Sequence, residues 1–199
     1  TEQDIERLMR GETPEQRASV AHRVCRRIAL DVLSDREKAF ADEIMGILAE
    51  DSADLVRRTL SVTLRNSPVL PRAIALKLAQ DIEAVAIPVL QDSPVFTDED
   101  LIELVLAVTA AKQAAIANRE TLSITLTEVI SEHGAVEAVR AASRNEGAEY
   151  SDKAFDDTLR RFGQDEIVQT GLIKREFIPT HIAEKMVSLV SGQLFDLLV

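Results

Sequence analysis

The chain has 199 residues with 23 Lys and Arg against 34 Asp and Glu, so its formal net charge is −11. Such a surface repels phosphate backbones and anionic headgroups, and we therefore expect no nucleic-acid partner. The excess of acid lies in residues 81–199, which hold 10 basic and 21 acidic residues. The single Cys25 excludes an internal disulfide, no signal segment opens the sequence, and no apolar run is long enough to span a membrane. These features predict a cytoplasmic protein without membrane insertion.

The composition and the first capping patterns predict helices. Aromatic residues make up 4% and Trp is absent, which favours closely packed helices over a β-sandwich. Apolar residues at helical spacing predict a short helix over residues 2–10. The run Thr13–Gln16 combines an N-cap hydroxyl, Pro at the first helical position and Gln at N3, and predicts a helix that extends to about Asp31. Ser34 and Glu37 form a second capping-box pattern.

The region that follows repeats itself at a step of 26 residues. The three most similar stretches are Leu64–Pro68, Leu90–Pro94 and Ile116–Glu120. A fixed period of about 20–50 residues is typical of stacked repeats, in which each unit buries its apolar face against its neighbours. The sequence therefore predicts an all-α fold, a right-handed α-solenoid of short helix pairs. Residues 1–50 form an N-terminal helical region continuous with the solenoid, and residues 51–199 form the repeats.

Each predicted helix pair carries two markers. The first helix follows a large apolar residue, which we call its anchor, and a cap or Pro; the anchors are Leu70, Phe96, Leu122, Tyr150 and Ile178. The second helix carries a small apolar residue followed by a polar or small one; the pairs are Val56–Arg57, Val85–Ala86, Ala111–Lys112, Val139–Arg140 and Val168–Gln169. Pro88 falls inside one second helix and predicts a kink there.

Polar residues recur at the turns between helices, as Asn66, Asp92, Asn118 and Asn145. We interpret them as turn residues, because Asn and Asp tolerate left-handed backbone conformations and cap turns. Other turn residues differ between the copies, namely Arg65, Gln91 and Arg119. We expect these residues to determine partner specificity.

The segment Asp51–Arg57 resembles the second helix of HEAT repeats, in which an Asp precedes a Val–Arg pair, although these units are shorter than a usual HEAT repeat. The stretch from Val56 to Leu194 resembles an uncharacterised alphaproteobacterial family of HEAT-like proteins, a domain of unknown function. The matching segments are residues 81–90, 96–101, 139–148 and 182–190. The resemblance implies an α-solenoid and a bacterial cytoplasm, and it brings no catalytic residues.

The densest basic group contains Arg57, Arg58, Arg65 and Arg72. Arg58 and Arg65 are seven residues apart and share a helix face, and Arg72 opens the next helix. Either the group forms an anion site for a phosphate or a nucleotide, or each arginine pairs with a neighbouring acid such as Asp54 across the repeat interface.

His22 projects from the polar side of a long helix beside Arg23 and Arg26. Either it accepts a phosphoryl group, or it is an ordinary exposed helical histidine. The other histidines, His133 and His181, are distant in sequence, and none of the three has a Cys or His at metal-ligand spacing. We therefore expect no metal site.

The sequence contains no Ser/His/Asp set, P-loop or dinucleotide-binding glycine motif, so we expect neither an enzyme nor a cofactor. The leading hypothesis is a scaffold or adaptor that binds a protein partner with a basic or amphipathic surface. The alternative is a signalling component that uses His22 or the arginine group. A HEAT-like DNA glycosylase is disfavoured by the acidic charge and the lack of Trp. A further hypothesis is that the protein forms a homodimer through the C-terminal helix or the tail at residues 194–199. The alternative is that this tail docks on the last repeat of its own chain.

Overall fold

The computed structural model describes residues 13–30 and 33–198, with side chains to residue 189. The helix expected at residues 2–10 and the side chains of the expected apolar tail at residues 194–199 lie outside this description. Over the described residues the chain forms twelve helices and no strand, which confirms the predicted all-α class. The chain divides into two compact units, Thr1–Thr97 and Asp98–Val199, a division that the sequence did not indicate.

The first unit contains five described helices: α1 (Pro14–Leu30), α2 (Asp35–Ala49), α3 (Asp54–Leu64), α4 (Arg72–Gln80) and α5 (Glu83–Asp92). α1 packs against α3 and α3 against α5, while α2 packs against α4. Consecutive helices therefore alternate between two layers, as they do in stacked helix pairs. α5 continues past Pro88 to its last residue, Asp92.

The second unit contains seven helices: α6 (Asp98–Ala107), α7 (Ala110–Ala117), α8 (Ile124–His133), α9 (Val136–Arg144), α10 (Asp152–Phe162), α11 (Glu166–Ile173) and α12 (Thr180–Leu198). α7, α9 and α11 pack in one row, and α6, α8, α10 and α12 pack in the other. The alternation of the first unit is thus repeated inside the second.

The N-terminal capping patterns are confirmed. α1 begins at Pro14, and Thr13 Oγ1 accepts a hydrogen bond from Gln16 N at 3.3 Å. Ser34 N donates to the Glu37 carboxylate at 2.9 Å, as a capping box requires. Local sequence therefore determines where the first two helices start.

Every predicted anchor precedes a helix start: Leu70 before α4, Phe96 before α6, Leu122 before α8, Tyr150 before α10 and Ile178 before α12. The side chains of Leu70 and Leu122 are each 1% exposed. Ser123 and Ser151, which follow two of the anchors, accept hydrogen bonds from backbone N–H groups in the first turns of α8 and α10. At the start of α8 the anchor Leu122 is thus buried while the next residue, Ser123, caps the helix.

Polar side chains connect alternate helices within each unit, and we call these contacts rungs. Each rung joins a side chain on one helix to the chain at the start of the helix two positions later. The rungs are Arg17–Asp51 at 2.8 Å, Arg57–Asp81 at 2.5 Å, Gln113–Ala135 N at 2.8 Å and Arg140–Asp165 at 2.6 Å. The aspartates also accept backbone N–H groups at the start of their own helices. Each rung therefore fixes the position of one helix against the start of another.

The rung on α7 differs from the others. Ala111 is exposed, whereas Lys112 and Gln113 are buried, so the predicted alignment of the pair Ala111–Lys112 was wrong by one residue. Gln113 Nε2 donates to the Val105 carbonyl at 2.6 Å, and its Oε1 accepts from Ala135 N at 2.8 Å. The amide connects two backbone groups where an arginine elsewhere binds a carboxylate.

The turn residue Asn145 acts through its side chain. No described residue has a positive φ, so the explanation from left-handed backbone was wrong. Asn145 Nδ2 instead donates to the carbonyls of Ala117 and Arg119 at 2.9 and 2.7 Å, while its Oδ1 accepts from Gly147 N at 2.9 Å. This asparagine therefore ties its own turn to the preceding one.

The same two turns also pair through their backbones, at an isolated parallel bridge between Leu122 and Ala148. Leu122 N donates to the Gly147 carbonyl, and Glu149 N donates to the Leu122 carbonyl, both at 3.0 Å. A Cβ at Gly147 would lie 1.9 Å from the Glu120 carbonyl oxygen. The approach of the two turns thus requires glycine at this position.

α9 and α11 approach each other closely at a second glycine. A Cβ at Gly171 would lie 2.5 Å from Ser143 Oγ and 2.8 Å from the Ser143 carbonyl carbon. Around Gly46 in α2, by contrast, a Cβ would meet nothing within 4 Å. Packing therefore requires glycine at position 171 and does not require it at position 46.

Candidate functional site

Arg57 and Arg65, two of the predicted arginines, form ion pairs with aspartates. Arg57 Nε and Nη2 donate to the Asp81 carboxylate at 2.5 and 2.9 Å, and its Nη1 donates to the Asp51 carbonyl at 2.8 Å. The bond to Asp81 raises the pKa of Arg57. Arg65 Nε lies 3.0 Å from the Asp92 carboxylate. Both arginines therefore pair with acids, which is the second of the two alternatives given for this group.

The other two arginines are exposed on different helices. Arg58 lies on α3, and Arg72 lies at the start of α4, where it lines a cleft. α3 and α4 belong to different layers of the first unit. The structure therefore places Arg57 and Arg65 beside aspartates, and Arg58 and Arg72 on helices of different layers.

α3 carries two apolar stripes. Val56 and Leu60 belong to the stripe that faces the core, and both are 0% exposed. Leu55 and Val62 are seven residues apart on the other side and are 38% and 41% exposed, with the exposed Arg58 between them in sequence. α3 therefore combines a buried apolar stripe with a second, exposed pair of apolar side chains.

His22 is exposed on α1, and its Nδ1 lies 3.2 Å from Thr63 Oγ1 on α3. The Thr63 hydroxyl donates its hydrogen to the Thr59 carbonyl at 2.6 Å, so towards the imidazole this oxygen acts as an acceptor. In the tautomer that fits this arrangement, the neutral ring carries its proton on Nδ1 and its lone pair on Nε2. In that tautomer Nε2 is the nitrogen that can act as a nucleophile.

A cleft of about 670 Å³ opens in the first unit between α2 and the turn that precedes α4. The buried side chains of Ile28, Met45 and Leu70 form its floor, with 7%, 1% and 1% exposure. Its rim carries three exposed charged side chains, namely Lys38, Asp42 and Arg72. The volume and the mainly apolar lining are typical of a small-molecule site.

Sequence reasoning missed both the second stripe of α3 and the cleft. The stripe had a signal, because Leu55 and Val62 share a helix face that excludes Val56 and Leu60. The cleft had none, because Met45 and Leu70 have the spacing of ordinary core residues and meet only through tertiary packing.

Two kinds of site are absent from the described part of the chain. No three His, Cys, Asp or Glu side chains among these residues are placed to hold a metal ion. None of the described helices combines the length and the apolar character needed to cross a bilayer.

Comparison with protein families assigns the second half of the chain. Residues 85–199, more than half of the chain, match a family described as an uncharacterised protein conserved in bacteria (DUF2336). No curated protein and no solved structure matches the chain.

Proposed function

Because this chain belongs to the bacterial family DUF2336, we propose that it is a non-enzymatic scaffold or adaptor that binds a protein partner in the bacterial cytoplasm. We include in the proposal that its helix pairs are HEAT-like repeats of a right-handed α-solenoid, as in the alphaproteobacterial proteins that it resembles. The alternation of helices and the rungs inside each unit support this repeat architecture. Repeats of this kind present extended surfaces for partners.

The observation that carries the proposal is the exposed stripe on α3. Leu55 and Val62 offer apolar surface on the side of α3 that faces away from the core. Arg58 adds a positive charge beside them. An amphipathic partner helix would bury the two apolar side chains and place a carboxylate near the guanidinium. The acidic surface of residues 81–199 would favour basic groups elsewhere on the same partner.

The test uses a photo-crosslinking amino acid at position 58 of the full chain in living bacteria, followed by mass spectrometry. The expected result is one dominant adduct that disappears when Leu55→Asp and Val62→Asp are combined. The matched control combines Leu106→Asp with Ile124→Asp, which also replaces two exposed apolar residues and should keep the adduct. An adduct that survives the first pair of substitutions, or is lost equally in the control, contradicts the proposal.

A second candidate function, phosphoryl transfer to His22, is favoured by the bond to Thr63. The Nε2 lone pair would attack the phosphorus of an aspartyl phosphate on a partner protein. An N–P bond forms, the acyl P–O bond breaks, and the carboxylate leaves with the bonding electrons, while Nδ1–H stays hydrogen-bonded to Thr63.

Incubation with acetyl phosphate, followed by phosphorus NMR, tests this candidate. We expect an acid-labile phosphoimidazole signal that His22→Ala abolishes and His181→Ala leaves intact. Thr63→Val should slow the labelling, because Nδ1 then loses the acceptor that selects its tautomer. Labelling that is absent in the wild type, or that persists in His22→Ala, removes the candidate.

A further inference from the structure

We propose that the partner segment that covers the exposed stripe of α3 is an acidic amphipathic helix, whose carboxylates bind Arg58 on α3 and Arg26 on the adjacent α1. This partner chemistry rests on the adaptor function proposed above and makes it specific. The surface concerned, which we call the basic face, consists of Leu55, Arg58 and Val62 on α3 with His22 and Arg26 on α1.

The packing of α1 against α3 brings the two parts of the basic face together. His22 Nδ1 lies 3.2 Å from Thr63 Oγ1 where the two helices meet. Arg26 follows His22 by four residues, so the two side chains are neighbours on one face of α1. Both of them are exposed, as is Arg58. The positive charge of α1 therefore lies beside the helix that carries the apolar stripe.

The ion pairs of the first unit leave the charges of the basic face uncompensated. Three other arginines already bind a carboxylate, in the pairs Arg17–Asp51, Arg57–Asp81 and Arg65–Asp92. Within the described chain, no carboxylate forms an ion pair with Arg26 or Arg58. The acids of α1 and α3 are Glu15 and Asp54, which lie in the first turns and favour the helix dipoles. Asp54 precedes Arg58 by one turn, and its charge raises the pKa of Arg57. A partner that brings carboxylates thus complements the basic face.

Backbone hydrogen bonding selects a helical partner. α1 and α3 satisfy their backbone groups internally, and the described chain has no strand whose edge an extended peptide could join. A helix satisfies its own backbone groups and can lay one apolar stripe on Leu55 and Val62. These two residues are seven apart, about 10 Å along the helix axis, so apolar side chains two turns apart on the partner can reach both. Asp or Glu beside that stripe then faces the arginines.

Three stapled helical peptides test the charge of the partner. They share one apolar stripe and carry Glu, Gln or Lys at the flanking positions, and each is titrated into the full chain at low ionic strength. The chain has three histidines, so imidazole proton NMR locates the binding, and His22→Ala identifies the signal of the basic face. We expect a saturable shift at His22 and none at His133 or His181. Binding should be strongest for the Glu peptide and weakest for the Lys peptide, and added salt should reduce the difference.

Charge reversal on the basic face should reverse this preference. Arg26→Glu combined with Arg58→Glu should weaken binding of the Glu peptide about tenfold or more and tighten binding of the Lys peptide. The gain for the Lys peptide also shows that the variant is folded. The matched control combines Arg36→Glu with Lys174→Glu, which changes the net charge equally at exposed positions outside α1 and α3 and should bind like the wild type.

Three results would overturn the proposal. The wild type binds the Lys peptide as tightly as the Glu peptide, or the reversed variant still prefers the Glu peptide. Alternatively, vesicles of phosphatidylglycerol shift the His22 signal while the Glu peptide does not, in which case the basic face meets a membrane surface.

The adaptor function fails or stands separately, because the crosslink at position 58 depends on Leu55 and Val62 whatever the charge of the partner. An adduct that requires these two residues, together with no preference for the Glu peptide, refutes the acidic helix and leaves the adaptor function in place. Loss of the adduct requirement refutes both.

Discussion

Replacement of Gln113 by Met removes one rung while keeping a side chain of similar size. Gln113 is 9% exposed, and its amide joins the Val105 carbonyl in α6 to Ala135 N at the start of α9. Methionine can neither donate to the first group nor accept from the second. Both backbone groups are therefore left without this partner, one of them fully buried.

The cost follows from those two groups. Each buried polar group that loses its partner costs about 1–3 kcal/mol, so Gln113→Met should reduce the free energy of unfolding by about 2–4 kcal/mol. For a chain of this size, 1 kcal/mol lowers Tm by about 2–4 °C, so we expect a decrease of about 4–16 °C. Gln113→Glu should cost more near neutral pH, because it also buries a charge, whose desolvation raises the pKa of the new carboxyl. As the pH falls through that raised pKa, the protonated acid can again donate to the Val105 carbonyl, and part of the stability should return.

Urea unfolding followed by far-ultraviolet circular dichroism measures the change, and amide hydrogen exchange at Ala135 reports the lost bond directly. Gln164→Met is the control, because Gln164 is exposed and its replacement should change stability by less than about 0.5 kcal/mol. A Gln113→Met protein as stable as this control, with unchanged exchange at Ala135, would show that the amide is not a rung.

Three further predictions concern packing, pH and the thiol. Gly171→Ala should destabilise the protein by about 1–3 kcal/mol, because the new Cβ overlaps α9, whereas Gly46→Ala should stabilise it by up to about 1 kcal/mol through helix propensity; thermal unfolding compares the two. The bond to Arg140 lowers the pKa of Asp165, so Asp165→Asn should destabilise the protein near neutral pH. The difference should begin to close as the pH falls below about 4, where the unfolded carboxyl takes up a proton while the folded carboxyl is still charged. If urea midpoints of the two proteins differ equally at pH 7 and pH 3, the ion pair is not the cause. Burial raises the pKa of Cys25 to about 12, so at pH 8 a thiol reagent should modify it only after urea unfolds the chain, and rapid labelling of the native protein would contradict its burial.

The helix starts were predictable because they depend on neighbours in sequence. Ser34 and Glu37 cap a helix within one turn, and an anchor such as Leu122 precedes its cap by a single residue. The rungs depend on partners more than twenty residues apart, and no local pattern showed that Arg57 would choose Asp81 over the nearer Asp54. Tertiary packing makes that choice.

The α7 helix shows a second limit of the sequence pattern. The sequence pattern aligned Lys112 with the arginines of other repeats, whereas Gln113 makes the rung and Lys112 is buried beside it. A run of alanines around these residues offers no strong apolar stripe to set the helix rotation, so the alignment slipped by one position. For the candidate site, the sequence showed which residues were basic, and only the structure showed that Arg57 pairs with Asp81 and Arg65 with Asp92.

The backbone conformation of the turns determines which turn residues can be substituted. Since no described residue adopts a positive φ, the turns between helices place no demand on backbone conformations that only glycine reaches easily. Gly147 is required by the neighbouring turn and not by its own dihedral angles. The described turns therefore accept L-amino acids without backbone strain, except where a side chain or a neighbouring turn fixes the residue, as at Asn145 and Gly147. Selection, or a laboratory library, could vary the remaining turn residues while the helices between them stay in place.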